Sequence, residues 1–178
     1  MGKTKNLDVA GCNVFIGIDQ SLNSTGYYIK HACGYSVGGL IKPRKNIVGR
    51  ERLELIYKGI TAILKHHKGS STLVCMEGYA YNYRKGKVFE LGEVGGIVKL
   101  CCQLHGVRGV VSIPPSDLKK FVTGSGSASK ERMMKTLDET QDDIADAKGL
   151  MLIAEEMVKS KSTTRSQLEV IRNCFSNY

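Results

Sequence analysis

The chain has 178 residues, 42% hydrophobic and 24% charged, which suits one soluble domain with a real core. Its apolar runs are short and broken by glycine or charge, which excludes a membrane-spanning helix, and "MGKTKNLDVAGC" has no apolar signal core. The formal charge of +9 points to an anionic partner, nucleic acid first.

Residues 1–11 read as a loose basic lead-in and 12–178 as a single domain. "NVFIGID", "STGYYIKHA" and "YSVGGLIK" are β-rich runs whose short polar links suit antiparallel neighbours. "NIVGRERLELIYKGITAILKHHKG" is a helix with Leu53, Ile56, Ile60, Ile63 and Leu64 on one face, stopped by Gly69. His66 and His67 read as cations at its C-terminal end rather than as metal ligands. "STLVCMEG" is a buried strand ending in an acid. "KVFELGEVGGIVKLCCQLHG" is a second helix, in which Gly92, Gly95 and Gly96 permit close approach to a sheet or a partner. "VRGVVSIPP" is a further strand. "PSDLKKFVTG" is a short helix with Ser116 as N-cap, and "GSGSAS" a mobile loop. "KERMMKTLDE", "DDIADAKGLMLIAEEMVKS" and "TRSQLEVIRNCF" are helices. The order predicts an α/β fold, one mixed sheet with helices on its faces. Cys12, Cys33, Cys75, Cys101, Cys102 and Cys174 form no CxxC pair, and read as free thiols of a reducing cytoplasm.

Asp19 ends the first strand and Glu77 ends the strand after the first helix. If those strands are neighbours, both acids lie at the sheet edge where ligands usually bind. In "DDIADA", Asp143 or Asp142 shares a helical face with Asp146, which continues the apolar stripe Leu150, Ile153, Met157. Packing that stripe on the sheet would turn the pair toward Asp19 and Glu77. Converging carboxylates cannot all stay ionised unaided. Oxygen ligands suit Mg²⁺ or Mn²⁺, and two such ions about 3.5–4 Å apart serve phosphodiester hydrolysis. Each acid taken singly also fits a structural role, as a hairpin residue or a helix N-terminal charge.

Four segments, in order, carry a resemblance to a known family: "GIDQSLNSTGYYI", "CMEG", "VTGSGSASK" and "DDIADAKGLMLIA". The chain resembles the RuvC-like Holliday junction resolvases, of the retroviral-integrase/RNase H-like fold. That resemblance implies a mixed five-stranded sheet with helices on both faces. It implies a homodimeric, Mg²⁺-dependent endonuclease that nicks paired strands of a four-way DNA junction. Matched to the motifs, it implies Asp19, Glu77, Asp143 and Asp146 as catalytic metal ligands, holding two Mg²⁺ ions for which Mn²⁺ substitutes, and Lys130 as a catalytic lysine. The pattern departs from bacterial relatives at Gln20-Ser21, where Pro-Gly is usual, and at Ala80, where they place an aromatic wedge. It looks more like the compact versions that phages encode, which would act in the host cytoplasm.

After Glu77, Tyr79, Tyr81 and Tyr83 precede Arg84, Lys85 and Lys87, an alternation suited to stacking on bases and gripping phosphates. Lys119, Lys120 and Arg132 flank the glycine loop, and Lys42, Arg44 and Lys45 precede the first helix; together they would form phosphate tracks beside the carboxylates. Three other readings stay open: a related RNase H-like nuclease acting on flaps, other branched DNA or RNA, a non-catalytic junction-binding protein, and a sugar-kinase-like ATPase, for which the chain is short.

Overall fold

The structure is a computed structural model describing residues 7–79, 87–161 and 164–176. Strands β1 (Val14–Asp19), β2 (Thr25–His31), β3 (Ser36–Ile41), β4 (Thr72–Glu77) and β5 (Gly109–Ile113) form one sheet in the order β3-β2-β1-β4-β5. β2 runs antiparallel to both β1 and β3, whereas β4 lies parallel to β1 and β5 parallel to β4. This is the mixed five-stranded sheet expected. Helices α1 (Gly49–Leu64) and α2 (Lys87–Leu104) cover one face, and α3 (Pro115–Thr123), α4 (Lys130–Leu137), α5 (Asp142–Lys159) and α6 (Arg165–Ser176) the other.

Strand alternation sorts the core into two layers. Val14, Ile16 and Ile18 of β1 join Val74 and Met76 of β4 beneath Ile56 and Ile60 of α1 and Val94 and Val98 of α2. Phe15, Leu73 and Cys75 face the other way, onto Leu150, Ile153 and Met157 of α5. Each fully buried aliphatic chain contributes about 1.5–3 kcal/mol relative to exposure. Leu53 and Ile63, expected on the buried face of α1, are only partly buried. Arg52 is buried there instead, its guanidinium donating to Glu90 of α2 at 2.9 Å.

Two glycines bring α5 down onto the sheet. A Cβ on Gly17 would lie 1.9 Å from the Ala147 carbonyl oxygen and 2.4 Å from the Met151 nitrogen. One on Gly26 would lie 2.0 Å from the Asp143 carbonyl oxygen. Only hydrogen at these positions lets the helix cross β1 and β2 so closely.

Four local expectations need correction. Helix α1 ends at Leu64 rather than running to Gly69. Gly69 starts a short 3₁₀ turn, and its lack of a Cβ serves packing, since one would meet the His105 carbonyl oxygen at 1.9 Å. Helix α3 starts at Pro115, so Ser116 lies inside it and is not its N-cap; proline suits the first turn, where its missing N–H has no partner to lose. Residues 7–11 are not a loose lead-in: Leu7 and Val9 pack on the core and Asp8 accepts from Arg108 at 3.1 Å. The "GSGSAS" loop is pinned rather than free. Gly124 caps α3 in the left-handed conformation, Ala128 is buried, and the Ser129 hydroxyl caps α4 by accepting from the Arg132 amide.

Cys12, Cys75, Cys101, Cys102 and Cys174 are buried free thiols, as expected, and Cys33 is exposed. Among the described residues no helix is long and apolar enough to cross a membrane.

Candidate active site

Asp19 follows Gly17 on the α5 face of β1, and Glu77 follows Leu73 and Cys75 on the same face of β4. Parallel pairing of Ile18 with Met76 sets the two acids side by side at the strands' C-terminal ends. Helix α5 starts over β2, where Gly26 admits the backbone of Asp143. The result is one cavity of about 250 Å³ lined by Asp19, Glu77, Asp143, Asp146, Lys119 and Lys130, with Gln20, Ser21, Pro115 and Met133.

Burial raises the Asp19 carboxyl well above its ordinary range, and the neighbouring charges of Glu77, Asp146 and Asp143 add to the rise. Burial also raises Glu77, against the pull of a hydrogen bond from Asp19 and of Lys119 and Lys130. Both carboxyls are thus harder to ionise than free ones, Asp19 the more so. Burial, then the Glu77 charge, pushes Asp146 up to about 6. Three acids that resist ionisation side by side form a site short of positive charge. Their donors are oxygen only, which fits a hard divalent cation of the Mg²⁺ class. Among the described residues, no three His, Cys, Asp or Glu side chains are disposed as a ready metal cage.

Of the three acids in "DDIADA", Asp143 and Asp146 line the cavity. Asp142 points elsewhere: it is ion-paired with Lys130, which holds its carboxyl below the usual range and raises the lysine. Of the two adjacent lysines of α3, Lys119 lines the cavity while Lys120 donates to Glu169 of α6 at 2.6 Å. Arg132 donates to the Thr123 carbonyl at 3.0 Å and does not line the cavity. Tyr79 lies over α2, its ring 5.8 Å from the Lys99 ammonium. Lys87 lines a separate pocket with Asn23 and Glu90. Tyr81, Tyr83, Arg84 and Lys85 lie outside the described residues.

Sequence reasoning passed over Gln20 as a site residue. It is buried, and its Nε2 donates to the Glu77 carbonyl oxygen at 2.9 Å. Its one sequence signal is position, directly after the first acid. Thr25 closes the loop between them and β2, its hydroxyl donating to the Ser21 carbonyl at 3.1 Å.

The family model for "Crossover junction endodeoxyribonuclease RuvC" matches residues 15–154, from β1 into α5. The chain belongs to the RuvC family. A RuvC of Bradyrhizobium diazoefficiens is 28% identical over 173 residues, covering 93% of this chain and 97% of that one. A RuvC of Rhodopseudomonas palustris is 30% identical over 126 residues, covering 68% and 71%. Among solved structures, Thermus thermophilus RuvC superposes with a TM-score of 0.63 at 19% identity, over 78% of this chain and 91% of that one. The same protein in complex with a Holliday junction substrate gives 0.61 at 22%, over 79% and 91%. These two likenesses are of fold, and the fold they share with this chain is the RNase H-like sheet of the RuvC family.

Proposed function

We propose that the chain is a structure-selective endonuclease that resolves four-way DNA junctions by divalent-metal-dependent phosphodiester hydrolysis, nicking paired strands as a homodimer. The observation that carries this reading is a single cavity in which four carboxylates from β1, β4 and α5 meet two lysines from α3 and α4. Family membership supplies the endodeoxyribonuclease class, and the relative solved with a Holliday junction supports the junction as partner.

Asp19, Glu77, Asp143 and Asp146 would hold two Mg²⁺ ions, with Mn²⁺ able to replace them. When bound, such ions lower the pKa of water and neutralise charge on the reacting phosphate. The raised carboxyls must lose their protons to take up the ions, so metal binding, and cleavage with it, should weaken as pH falls below about 6, where the metal-free Asp146 carboxyl is protonated. Lys119 and Lys130 draw the scissile phosphate into the cavity, and Lys130, exchanging Asp142 for a phosphate oxygen, stabilises charge in the transition state.

The flanking interface is basic. Ser21 lines the carboxylate cavity, and the next residues, Leu22, Asn23 and Ser24, line a neighbouring one of about 520 Å³ with Lys42, Arg44 and Lys45. A phosphate track leading along this loop into the site would make binding strongly salt-dependent. Tyr81, Tyr83, Arg84, Lys85 and Lys87 are proposed contacts to opened bases and phosphates.

The dimer surface is the outer stripe of α2. Phe89 is 81% exposed, Leu100 and Leu104 are exposed, and none of the described residues comes within 4 Å of a Cβ built on Gly92 or Gly96. Small residues between exposed apolar ones let a second backbone approach.

The test is one gel assay comparing a four-way junction, a flap, a fork and linear duplex, with and without Mg²⁺. Paired nicks in the junction alone, lost in EDTA, are expected. Equal cutting of linear duplex, or cutting that persists in EDTA, would overturn the reading.

A further inference from the structure

We infer that Gln20 is a positioning residue for Glu77 and that Tyr79 is its latch, not a platform for stacking bases; this rests on the nuclease reading above. Gln20 is 4% exposed, and its two amide ends have different fates. Nε2 donates to the Glu77 carbonyl oxygen at 2.9 Å, while Oε1 is buried with no hydrogen-bond partner among the described residues. A buried acceptor left unpaired costs about 1–3 kcal/mol, so such a group calls for an explanation.

The surroundings of Oε1 supply one. A Cβ built on Gly95 would lie 2.6 Å from Gln20 Oε1 and 2.2 Å from the Tyr79 hydroxyl oxygen. Both oxygens therefore crowd the same point on the α2 backbone, and only glycine leaves room for them. A phenol hydroxyl donates and a carboxamide oxygen accepts, so a small adjustment of either side chain joins them. Gln20 would then grip the chain twice, by Nε2 at Glu77 and by Oε1 at Tyr79.

The grip spans Glu77, Gly78 and Tyr79, the point where β4 leaves the sheet. Gly78 is itself tied by donating its amide to the Ile113 carbonyl at 2.7 Å. Fixing both ends of this tripeptide against β1 sets the direction of the Glu77 carboxylate in the cavity. The Lys99 ammonium over the Tyr79 ring holds the ring on α2, away from the stacking role that its alternation with Tyr81 and Tyr83 suggests. Glutamine is the residue the arrangement needs. Glutamate could not donate to the Glu77 carbonyl, and leucine could do neither job.

The experiment compares Tyr79→Phe, which removes only the hydroxyl, with Tyr79→Ala and Gln20→Leu. Three quantities are measured: four-way junction affinity in EDTA, single-turnover cleavage with Mg²⁺, and amide hydrogen exchange at Gly78 in the free protein. Tyr79→Phe should bind the junction as the wild type does, yet cleave about tenfold more slowly, the equivalent of one hydrogen bond. Gln20→Leu should slow cleavage at least as much, and the double variant should be no slower than the slower single. Gly78 exchange should speed up in both. A Tyr79→Phe protein with wild-type cleavage and Gly78 exchange, beside a Tyr79→Ala protein that loses junction affinity, would assign the ring to base stacking and overturn the latch. If the wild type cuts no branched DNA, the nuclease reading falls, and Gly78 exchange alone decides whether the latch exists: unchanged exchange in Tyr79→Phe overturns it.

Discussion

Replacing Asp146 by asparagine should stabilise the metal-free protein while abolishing cleavage. Burial and the Glu77 charge push this carboxyl from its ordinary 3.8 to about 6. Between those values the folded protein holds a proton that the unfolded chain has released. Stability from this group is therefore present at acid pH and lost as pH rises through about 6. That rise corresponds to about 3 kcal/mol, and partial solvent access lowers the expectation to about 2 kcal/mol. Asparagine keeps the shape and removes the charge. In EDTA at pH 7.5, Asp146→Asn should melt about 4–8 °C above the wild type, given roughly 2–4 °C per kcal/mol for a domain of this size. At pH 4 the gap should nearly close. Mg²⁺ should raise the wild-type melting temperature and leave the variant much less affected. Calorimetry at the two pH values, with and without Mg²⁺, measures all of this. A variant that melts at or below the wild type at pH 7.5, or gains as much at pH 4, would refute the reasoning.

Three further outcomes are expected. Gly17→Ala forces a methyl into the Ala147 carbonyl and the Met151 amide, so it should lower stability by about 3 kcal/mol in urea unfolding and, by lifting α5, suppress cleavage. Lys130→Ala should reduce single-turnover cleavage about 10²-fold, the scale of losing one charge-stabilising donor, with junction affinity in gel shifts changed far less. Gly96→Phe meets no neighbour among the described residues of the monomer, so sedimentation should show a shift from dimer to monomer with an unchanged melting temperature at low concentration; a persistent dimer would remove α2 as the interface.

Much of the fold was legible because its signals are local. Alternation along "NVFIGID" and "STLVCMEG" places every second residue on one face, so Asp19 and Glu77 follow from the pattern once the strands are neighbours. The stripe Asp146, Leu150, Ile153 and Met157 likewise sets the inward face of α5. The ordered motifs then carried the family.

Other features depended on what packs against what. Lys119 and Lys120 look alike in sequence, but adjacent helical residues point about 100° apart, and only the docking of α3 between α5 and α6 turns one to the cavity and the other to Glu169. Asp142 and Asp143 were separated the same way, by the seating of α5 over Gly26. The sequence by itself determined the strands, the helices, the acids and their order along the chain, because those follow from periodicity and side-chain chemistry. The tertiary structure alone decided the partners of Gln20, the closeness that makes Gly17, Gly26 and Gly95 obligatory, and the raised carboxyls, because burial and electrostatic coupling arise only between segments that the chain keeps far apart.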